Sequence, residues 1–431
     1  MDLLQRLLNL RAGEWRPVLL SGMYFFAVLA ALMLLRPARD ALGMQRGMDE
    51  IRWLFFGTAA VTLLVQPLFG WLVAKWRRMR FIAACHGFFA LSLLGFHLLL
   101  VAAPDAIGVR SGQAFYVWFS VFNFFVTMLF WALMADRFTL EQSQRLFPPI
   151  AAGGTLGAIT GSWAAGAWVA AIGTPALLLV AAGLLVVAVV LAAQVIRTTE
   201  AVPVALSASR DEAPMGGSAW AGLRALLRST YLSGIALYVL VLAVMVTFLY
   251  FTRLQLVAGL ESGLDARTAL FANVDFYTQL ATLLLQLVLA GHLIKRIGMP
   301  LTLALLPAVA ALGFIGLAIV GSLLALVLVE ATFRAVQRAV MRPARETLFT
   351  VVDREEKYKA KAVIDTFVYR LGDIVGAQSE GLLGRLGWGL HALASVAVPL
   401  ALFWAVLGVW LGLRQRALAK TDDGGVGSPP C

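Results

Sequence analysis

Charged residues in three groups interrupt or border long apolar stretches of this sequence. The first group, Arg36, Arg39 and Asp40, ends an uninterrupted apolar run. Arginines three residues apart project from the same side of a helix, and guanidinium groups bind phosphate or carboxylate through two parallel hydrogen bonds. The pair therefore suits an anionic ligand. The alternative is a pair of interfacial arginines that Asp40 neutralises.

The second group comprises Glu330, Arg334, Arg338, Arg342 and Arg345. Their spacing of four and then three residues predicts one charged face on a helix. A charge at the centre of a bilayer costs about 2.5–3.5 kcal/mol, so we expect this face to line a polar cavity or the seam between the two halves of the chain, or to run out into the cytoplasm. Glu330 and Arg334 could equally pair with each other, in a purely structural role.

The third group lies near residue 365 and contains Lys361, Asp365, Arg370 and Asp373, and Asp275 is a lone carboxylate in another apolar stretch. Within a membrane, carboxylates of this kind can take up a coupling proton. They can also neutralise an arginine on a neighbouring helix, and the sequence leaves both roles open.

Other motifs that could carry chemistry are missing from the sequence. The four histidines are scattered, and the two cysteines, Cys85 and Cys431, suit neither a disulfide framework nor a metal site. The glycine run at 153–157 lacks the Lys-Ser or Lys-Thr of a phosphate-binding loop. Its small residues recur every four positions, which favours close packing of helices. We therefore expect no enzyme activity, no metal and no cofactor.

The composition requires a membrane to position these charges. Of 431 residues, 61% are hydrophobic and 14% charged, with a mean hydropathy of +0.84. A soluble domain could not bury so much apolar surface. Continuous apolar runs of about 20 residues indicate spanning helices, and they predict an all-α protein of about twelve spans. The predicted spans lie near 17–36, 52–74, 81–103, 113–135, 148–171, 175–196, 230–252, 268–292, 300–320, 322–341, 361–384 and 389–413.

Basic residues concentrate in alternate loops between the predicted spans. Because cytoplasmic loops are enriched in lysine and arginine, this pattern places both termini in the cytoplasm of a multi-pass protein of a bacterial-type inner membrane. It also accounts for the net charge of +11 without any nucleic-acid partner.

The spans divide into two sets of six. We expect an interfacial amphipathic segment at 1–16, six-helix bundles at 17–196 and 230–413, a cytoplasmic linker at 197–229 and a disordered tail at 414–431. The glycines Gly153 and Gly157 recur as Gly372 and Gly376 after 219 residues. Two parallel six-helix halves are the architecture of the major facilitator superfamily.

Three stretches carry a resemblance to a known family. They are Gly13 to Pro17, leading to Arg36 to Gly43; Arg145 to Pro149, followed by the glycine run; and Glu356 to Asp365, continuing to Gly376. Together they resemble the ATP/ADP translocase, or NTP/NDP exchange transporter, family, which is related to the major facilitator superfamily.

This resemblance implies nucleotide exchange through basic residues in the first span and around the eleventh. The Arg-x-x-Lys-Asp pattern of the family falls on Arg36, Arg39 and Asp40, with Arg in place of Lys. Its basic run falls on Lys357, Lys359 and Lys361. Asp373 stands where the family has Lys.

We therefore predict a secondary transporter that moves an organic anion, a nucleotide or another phosphorylated metabolite, by alternating access, as an exchanger or a proton-coupled carrier. The expected partners are a small anionic substrate and membrane lipids, with the chain a monomer. A non-transporting membrane protein that binds lipid or a protein partner is the alternative. The candidate substrate-binding residues are Arg36, Arg39, Asp40, Asp275, Arg334, Arg338, Lys361, Asp365 and Arg370.

Overall fold

A computed structural model describes nearly all of the chain. The described residues are 11, 13–75, 78–102, 106–199, 219–261, 263–289, 293–352, 354–386 and 390–424. Over these ranges the chain is almost entirely helical and contains no strand. The predicted amphipathic segment at 1–16 lies largely outside the described residues, as do most of the linker and the last seven residues of the tail.

The first half of the chain forms five long helices. They are α1 (Trp15–Gly43), α2 (Met48–Lys75), α3 (Arg78–Ala102), α4 (Ala106–Arg137) and α5 (Leu140–Thr198). Helix α5 is broken at Gly173, whose φ of 78° is a left-handed conformation that glycine adopts without strain. Its two parts correspond to the predicted fifth and sixth spans, so this half provides six spans.

The second half is more interrupted. Its helices are α6 (Ala219–Arg228), α7 (Thr230–Leu260), α8 (Leu264–Leu289), α9 (Leu293–Val320), α10 (Leu323–Val336), α11 (Arg342–Leu348), α12 (Arg354–Val363), α13 (Tyr369–Arg385) and α14 (Leu390–Gly424). A π-helical turn, Gln337–Met341, joins α10 to α11, and another, Ile364–Val368, joins α12 to α13. The tenth and eleventh spans are thus each built from two α-helical pieces.

The predicted fold class is confirmed: the protein is an all-α membrane protein, and the helices of the described residues provide twelve spans, six in each half. Seven helical segments among the described residues are long and apolar enough to cross a bilayer by length and composition alone. One of these covers Glu141–Thr198 and holds two spans.

The residues group into two compact units. The first unit contains Met1–Glu212 and Val257–Gln279, and the second contains Ala213–Leu256 and Leu280–Cys431. The first unit therefore includes the end of α7 and the first part of α8.

Glycines bring α1 and α5 into backbone contact within the first unit. A Cβ atom added at Gly153, Gly157 or Gly161 would lie 2.3–2.4 Å from the carbonyl oxygen of Gly22, Phe26 or Ala30, respectively. No side chain fits at that distance, so the glycine run serves helix packing.

The equivalent pair of helices, α7 and α13, meets in the second unit. Gly372 and Gly376 of α13 face α7, where an added Cβ atom would lie 2.6 Å from the Ala243 Cβ and 2.9 Å from the Thr247 Cβ, respectively. The glycines that repeat in the sequence therefore pack the first span on the fifth and the seventh on the eleventh.

Three helix boundaries differ from the sequence-based expectation. Helix α1 continues through Pro37 to Gly43, because Ala38, Ala41 and Leu42 are apolar and fully buried. Helix α6 occupies part of the segment expected to be a linker. Helix α14 extends to Gly424, so residues 414–424 are helical and not disordered, since alanine, leucine, arginine and lysine are strong helix formers.

Candidate functional site

Arg36 of α1 lies against Asp275 of α8 within the first unit. The Arg36 Nη1 atom is 3.4 Å from the Asp275 Oδ1 atom. The Asp275 side chain is completely buried, whereas 21% of the Arg36 side chain is exposed. The carboxylate is therefore fixed inside the protein, and the guanidinium group retains an accessible surface.

Two positions one turn apart on α8 face α1. Besides Asp275, the amide of Gln279 donates a weak hydrogen bond to the Met33 sulfur, at 3.9 Å. Met33 and Arg36 are three residues apart on α1 and share a side of that helix. The register of α8 along α1 is thus fixed by a pair of contacts that includes the ion pair.

Arg39 lies one turn further along α1 and is held by two kinds of contact. Its Nε atom donates to the Asp40 Oδ1 atom at 2.8 Å. Its guanidinium carbon lies 4.5 Å from the centre of the Tyr116 ring and 5.4 Å from that of Phe119, both on α4. Cation–π contact and ion pairing together orient this arginine. Asp40 is completely buried.

The beginning of α8 is bound to the break in α5. The Thr174 amide donates to the Asp265 carboxylate at 2.7 Å, and the Thr174 hydroxyl donates to the Thr268 hydroxyl at 2.9 Å. Nearby, Asn273 leaves no room for a side chain at Gly166. These contacts hold α8 in place and so position Asp275 for Arg36.

A second buried charge cluster lies in the second unit. Glu330 accepts a hydrogen bond from Arg334 at 2.6 Å, and its Oε2 atom is 3.9 Å from the Arg253 Nη1 atom. The Arg253 side chain is completely buried. Arg253 is not among the residues predicted from the sequence, because the predicted seventh span ends at residue 252. The apolar residues that continue to Leu260 were the available signal.

A buried polar pair on α7 and α13 was also missed. The amide of Gln255 donates to the Glu380 carboxylate at 2.6 Å, and Glu380 is 1% exposed. The predicted spans contained Glu380 without assigning it a role. Its burial shows that the end of α13 packs inside the unit.

The expectation of one charged face on the tenth span is wrong. The π-helical turn Gln337–Met341 inserts an extra residue, which rotates the later side chains away from the earlier ones. Arg338 and Arg342 are exposed, whereas Glu330 is buried and Arg334 and Arg345 are each 16% exposed in their side chains.

Lys361 and Asp365 are paired with charges from α11. Lys361 donates to Glu346 and lies near the Phe349 ring, and the Arg345 Nη1 atom is 3.1 Å from the Asp365 Oδ1 atom. The two ion pairs fix α12 and the following π-helical turn against α11. In this conformation both side chains act as structural ties.

Arg370 pairs with Asp373 on its own helix, α13. Its Nη1 atom donates to the Asp373 Oδ2 atom at 3.1 Å. The Thr247 hydroxyl of α7 donates to the Oδ1 atom of the same carboxylate at 3.4 Å. Asp373 thus pairs with an arginine of its own helix and not with one of a neighbouring helix.

Two of the stretches that carry the family resemblance meet in the first unit. Arg145 donates to both carboxylate oxygens of Glu14, each at 2.7 Å. This hydrogen bond is the main reason that the pKa of Glu14 falls from its ordinary 4.5 to about 2. The pair ties the start of α1 to the start of α5, next to the glycine seam.

Four of the nine candidates therefore come together in the first unit: Arg36, Arg39, Asp40 and Asp275. The other five lie in the second unit: Arg334 and Arg370 pair on their own helices, Lys361 and Asp365 are linked through Glu346 and Arg345, and Arg338 is exposed. Among the described residues, no group of three or more histidine, cysteine, aspartate or glutamate side chains could hold a metal ion. In the first-unit cluster, Arg36 is partly accessible while Asp275 is completely buried.

Comparison with known proteins shows the same architecture. The sequence pattern of the Major Facilitator Superfamily matches residues 18–377. No curated protein sequence matches the chain.

Three solved structures illustrate the likeness in fold. A mutant form of the nucleoside transporter NupG has 15% sequence identity and a TM-score of 0.62, covering 93% of this chain and 99% of that one. The POT family transporter PepTSo has 13% identity and a TM-score of 0.58, with 93% and 98% covered. A bacterial homolog of the human lysosomal transporter Spinster has 13% identity and a TM-score of 0.52, with 97% and 100% covered.

Proposed function

We propose, from the premise that this chain belongs to the Major Facilitator Superfamily, that its cargo is an organic anion. The chain is a secondary transporter with a small-molecule substrate and is not an enzyme. The proposed anion is a nucleotide or another phosphorylated metabolite. It would bind Arg36 and Arg39 and cross the membrane by alternating access.

The observation that carries this proposal is the unequal burial of the Arg36–Asp275 pair. A structural ion pair is best shielded when both partners are buried, but here the arginine keeps an accessible surface beside a fully buried carboxylate. A phosphate or carboxylate group of the substrate could approach Arg36 from that surface. It would form charge-assisted hydrogen bonds of the kind that guanidinium groups favour.

Binding of the anion has a consequence for Asp275. If Arg36 turns to the substrate, the aspartate is left buried without its arginine. A buried charge of this kind is expensive, so we expect Asp275 to take up a proton as the anion binds. Proton uptake linked to anion binding would make the chain a proton-coupled carrier. In an exchanger, by contrast, Arg36 would pair with Asp275 again only while no second anion is bound.

Arg39 would supply the second positive charge. Its contacts with Asp40, Tyr116 and Phe119 fix the guanidinium group, which lowers the entropy lost when an anion binds. Arg39 is then the fixed and Arg36 the mobile anion-binding group, on successive turns of α1.

The nucleotide class rests on the resemblance to the ATP/ADP translocase family, which covers Arg36, Arg39 and Asp40 and the basic run Lys357, Lys359 and Lys361. The fold is compatible with a chemically related substrate, since NupG, which is similar in fold, is described as a nucleoside transporter. The Lys359 and Lys361 region would attract anions toward the transporter.

The remaining features of the proposal concern placement. The protein is a multi-pass membrane protein. We further propose that it is a monomer of a bacterial-type inner membrane with both termini in the cytoplasm, because basic residues concentrate in alternate loops.

Uptake into proteoliposomes tests the proposed cargo. The purified chain would be reconstituted in vesicles loaded with ATP, ADP, inorganic phosphate or a hexose phosphate, and uptake of the same labelled anions would be measured with and without a proton gradient. We expect saturable uptake of at least one anion, reduced about 100-fold in Arg36→Gln, since charge-assisted bonds contribute about 1.5–3 kcal/mol.

The matched control is Arg46→Gln, because Arg46 is an exposed arginine of the same region, paired only with a surface glutamate, Glu50. Uptake by this variant should equal that of the unmodified chain. Uptake of no anion, or equal uptake by Arg36→Gln and the unmodified chain, would refute an anion site at Arg36.

A further inference from the structure

Helix α6 is an unexpected helix in the middle of the chain, directly before the seventh span. It covers Ala219–Arg228, and α7 begins at Thr230. Only Ser229 separates the two helices, so α6 must lie at the surface of the membrane where the span begins.

The elbow between α6 and α7 is fixed by hydrogen bonds. The Leu232 amide donates to the Ser229 hydroxyl at 3.3 Å, which caps α7. The Ser233 hydroxyl donates to the Leu226 carbonyl at 2.7 Å, near the end of α6. Leu226 is 7% exposed. The angle at which α6 leaves the span is therefore set by the protein.

Two further contacts anchor the elbow within the second unit. Helix α6 packs against α12, which carries Lys357, Lys359 and Lys361. At the start of α7, the Tyr231 hydroxyl donates to the Leu348 carbonyl at 2.9 Å, and Tyr231 is buried. One side of α6 is thus occupied, and the opposite side faces away from the unit.

The outward side of α6 combines apolar and basic residues. Leu227 is 72% exposed and Leu223 is 37% exposed. Arg224 and Arg228, one position further along, are also exposed. On a helix these residues form two adjacent strips, one of leucines and one of arginines. In water the leucines would expose apolar surface, and in hydrocarbon the arginines would lose the hydration of their charges, so neither environment suits both strips.

We propose that this side of α6 docks on the anionic lipid headgroups of the adjacent leaflet. The leucines would enter the boundary between headgroups and acyl chains, and the arginines would bind lipid phosphates. Basic residues beside a span are attracted to anionic leaflets, and α12, which packs against α6, carries three lysines. Because the elbow is fixed by hydrogen bonds, docking of α6 would hold the start of α7 at the headgroups of that leaflet.

Thermal unfolding in vesicles tests the lipid site. The full chain would be reconstituted in phosphatidylcholine alone and in equal parts phosphatidylcholine and phosphatidylglycerol, and its Tm measured. We expect phosphatidylglycerol to raise the Tm of the unmodified chain. In the mixed vesicles the double variant Arg224→Gln/Arg228→Gln should show at most about half of the rise in Tm that the unmodified chain shows.

The control variant is Arg110→Gln, an exposed arginine near the start of α4, which should keep the full rise. No rise in the unmodified chain, an undiminished rise in the double variant, or an equal rise with inorganic phosphate in detergent would overturn the proposal.

A second measurement does not depend on unfolding. A spin label at Leu227→Cys, in a chain with Cys85→Ala and Cys431→Ala, reports its depth in the membrane. We expect contact with lipid-soluble oxygen to exceed contact with a water-soluble nickel chelate. The opposite ratio would overturn the proposed docking.

Discussion

The two units of the protein pack equivalent pairs of helices in different ways. In the first unit, the glycines of α5 bring its backbone against the backbone of α1. In the second unit, Gly376, which corresponds to Gly157, faces the Thr247 side chain, and Gly372 faces both the Ala243 side chain and a Leu240 carbonyl. An added Cβ would lie 2.3–2.4 Å from its nearest atom in the first seam and 2.6–2.9 Å in the second, so the second seam is the less tight of the two.

Helix regularity shows the same contrast. The tenth and eleventh spans each contain a π-helical turn, whereas the described residues of α4 and α5, their counterparts, have none. π-helical turns are frequent at functional sites. We infer that the candidate site of the first unit lies on rigid helices. The helices that can change conformation at their π-helical turns lie in the second unit.

Substitution of the equivalent glycines should give the largest difference in stability between the two units. In Gly157→Ala the new Cβ would lie 2.3 Å from the Phe26 carbonyl oxygen, while in Gly376→Ala it would lie 2.9 Å from the Thr247 Cβ. We expect the first variant to lose about 3 kcal/mol or more of stability and the second about 1 kcal/mol. Thermal unfolding in detergent measures both.

Gly183 of α5 is the matched control, because an added Cβ there meets nothing within 4 Å. Gly183→Ala should unfold at the same temperature as the unmodified chain or slightly higher. Equal losses in the two seam variants would contradict the contrast between backbone and side-chain packing.

The buried charge clusters of the two units should also respond differently. Arg253 is completely buried beside Glu330, so Arg253→Gln leaves a buried carboxylate with one arginine fewer. We expect a loss of about 3 kcal/mol. Arg36→Gln should cost at least as much, because it takes an arginine from the fully buried Asp275, whereas Glu330 keeps Arg334 in Arg253→Gln. Chemical or thermal unfolding of both variants decides this, and a clearly smaller loss for Arg36→Gln would show that Asp275 does not depend on Arg36.

The smallest expected effect is the acid response of the first unit. Arg145 lowers the pKa of Glu14 from 4.5 to about 2 in the folded protein. The pair therefore stabilises the fold fully above pH 4.5, and this contribution is lost as the pH falls toward 2. Glu14→Gln should flatten the dependence of the Tm on pH below 4.5. An acid response that is unchanged in the variant would show that other groups cause it.

The sequence was sufficient for the fold class and for the glycine seams, because apolar run length and a four-residue spacing of small residues are local patterns. Arg253 was not predicted, because composition does not mark the end of a span sharply. The face shared by Glu330 and Arg345 was predicted wrongly, because a π-helical turn depends on tertiary packing. The Glu14–Arg145 contact joins residues 131 positions apart, and no local pattern in a single sequence reveals it.

The central claim is that Arg36 binds the transported anion in place of Asp275. Equilibrium binding of labelled ATP, or of the hexose phosphate that uptake selects, to Asp275→Asn tests it directly, with Glu50→Gln as the control because Glu50 pairs with an exposed arginine. Removing the competing carboxylate should strengthen binding about tenfold, or about 1.4 kcal/mol, and abolish proton uptake on binding. Weaker or unchanged binding in Asp275→Asn, with only a loss of stability, would mean that the pair is structural and that the anion binds elsewhere.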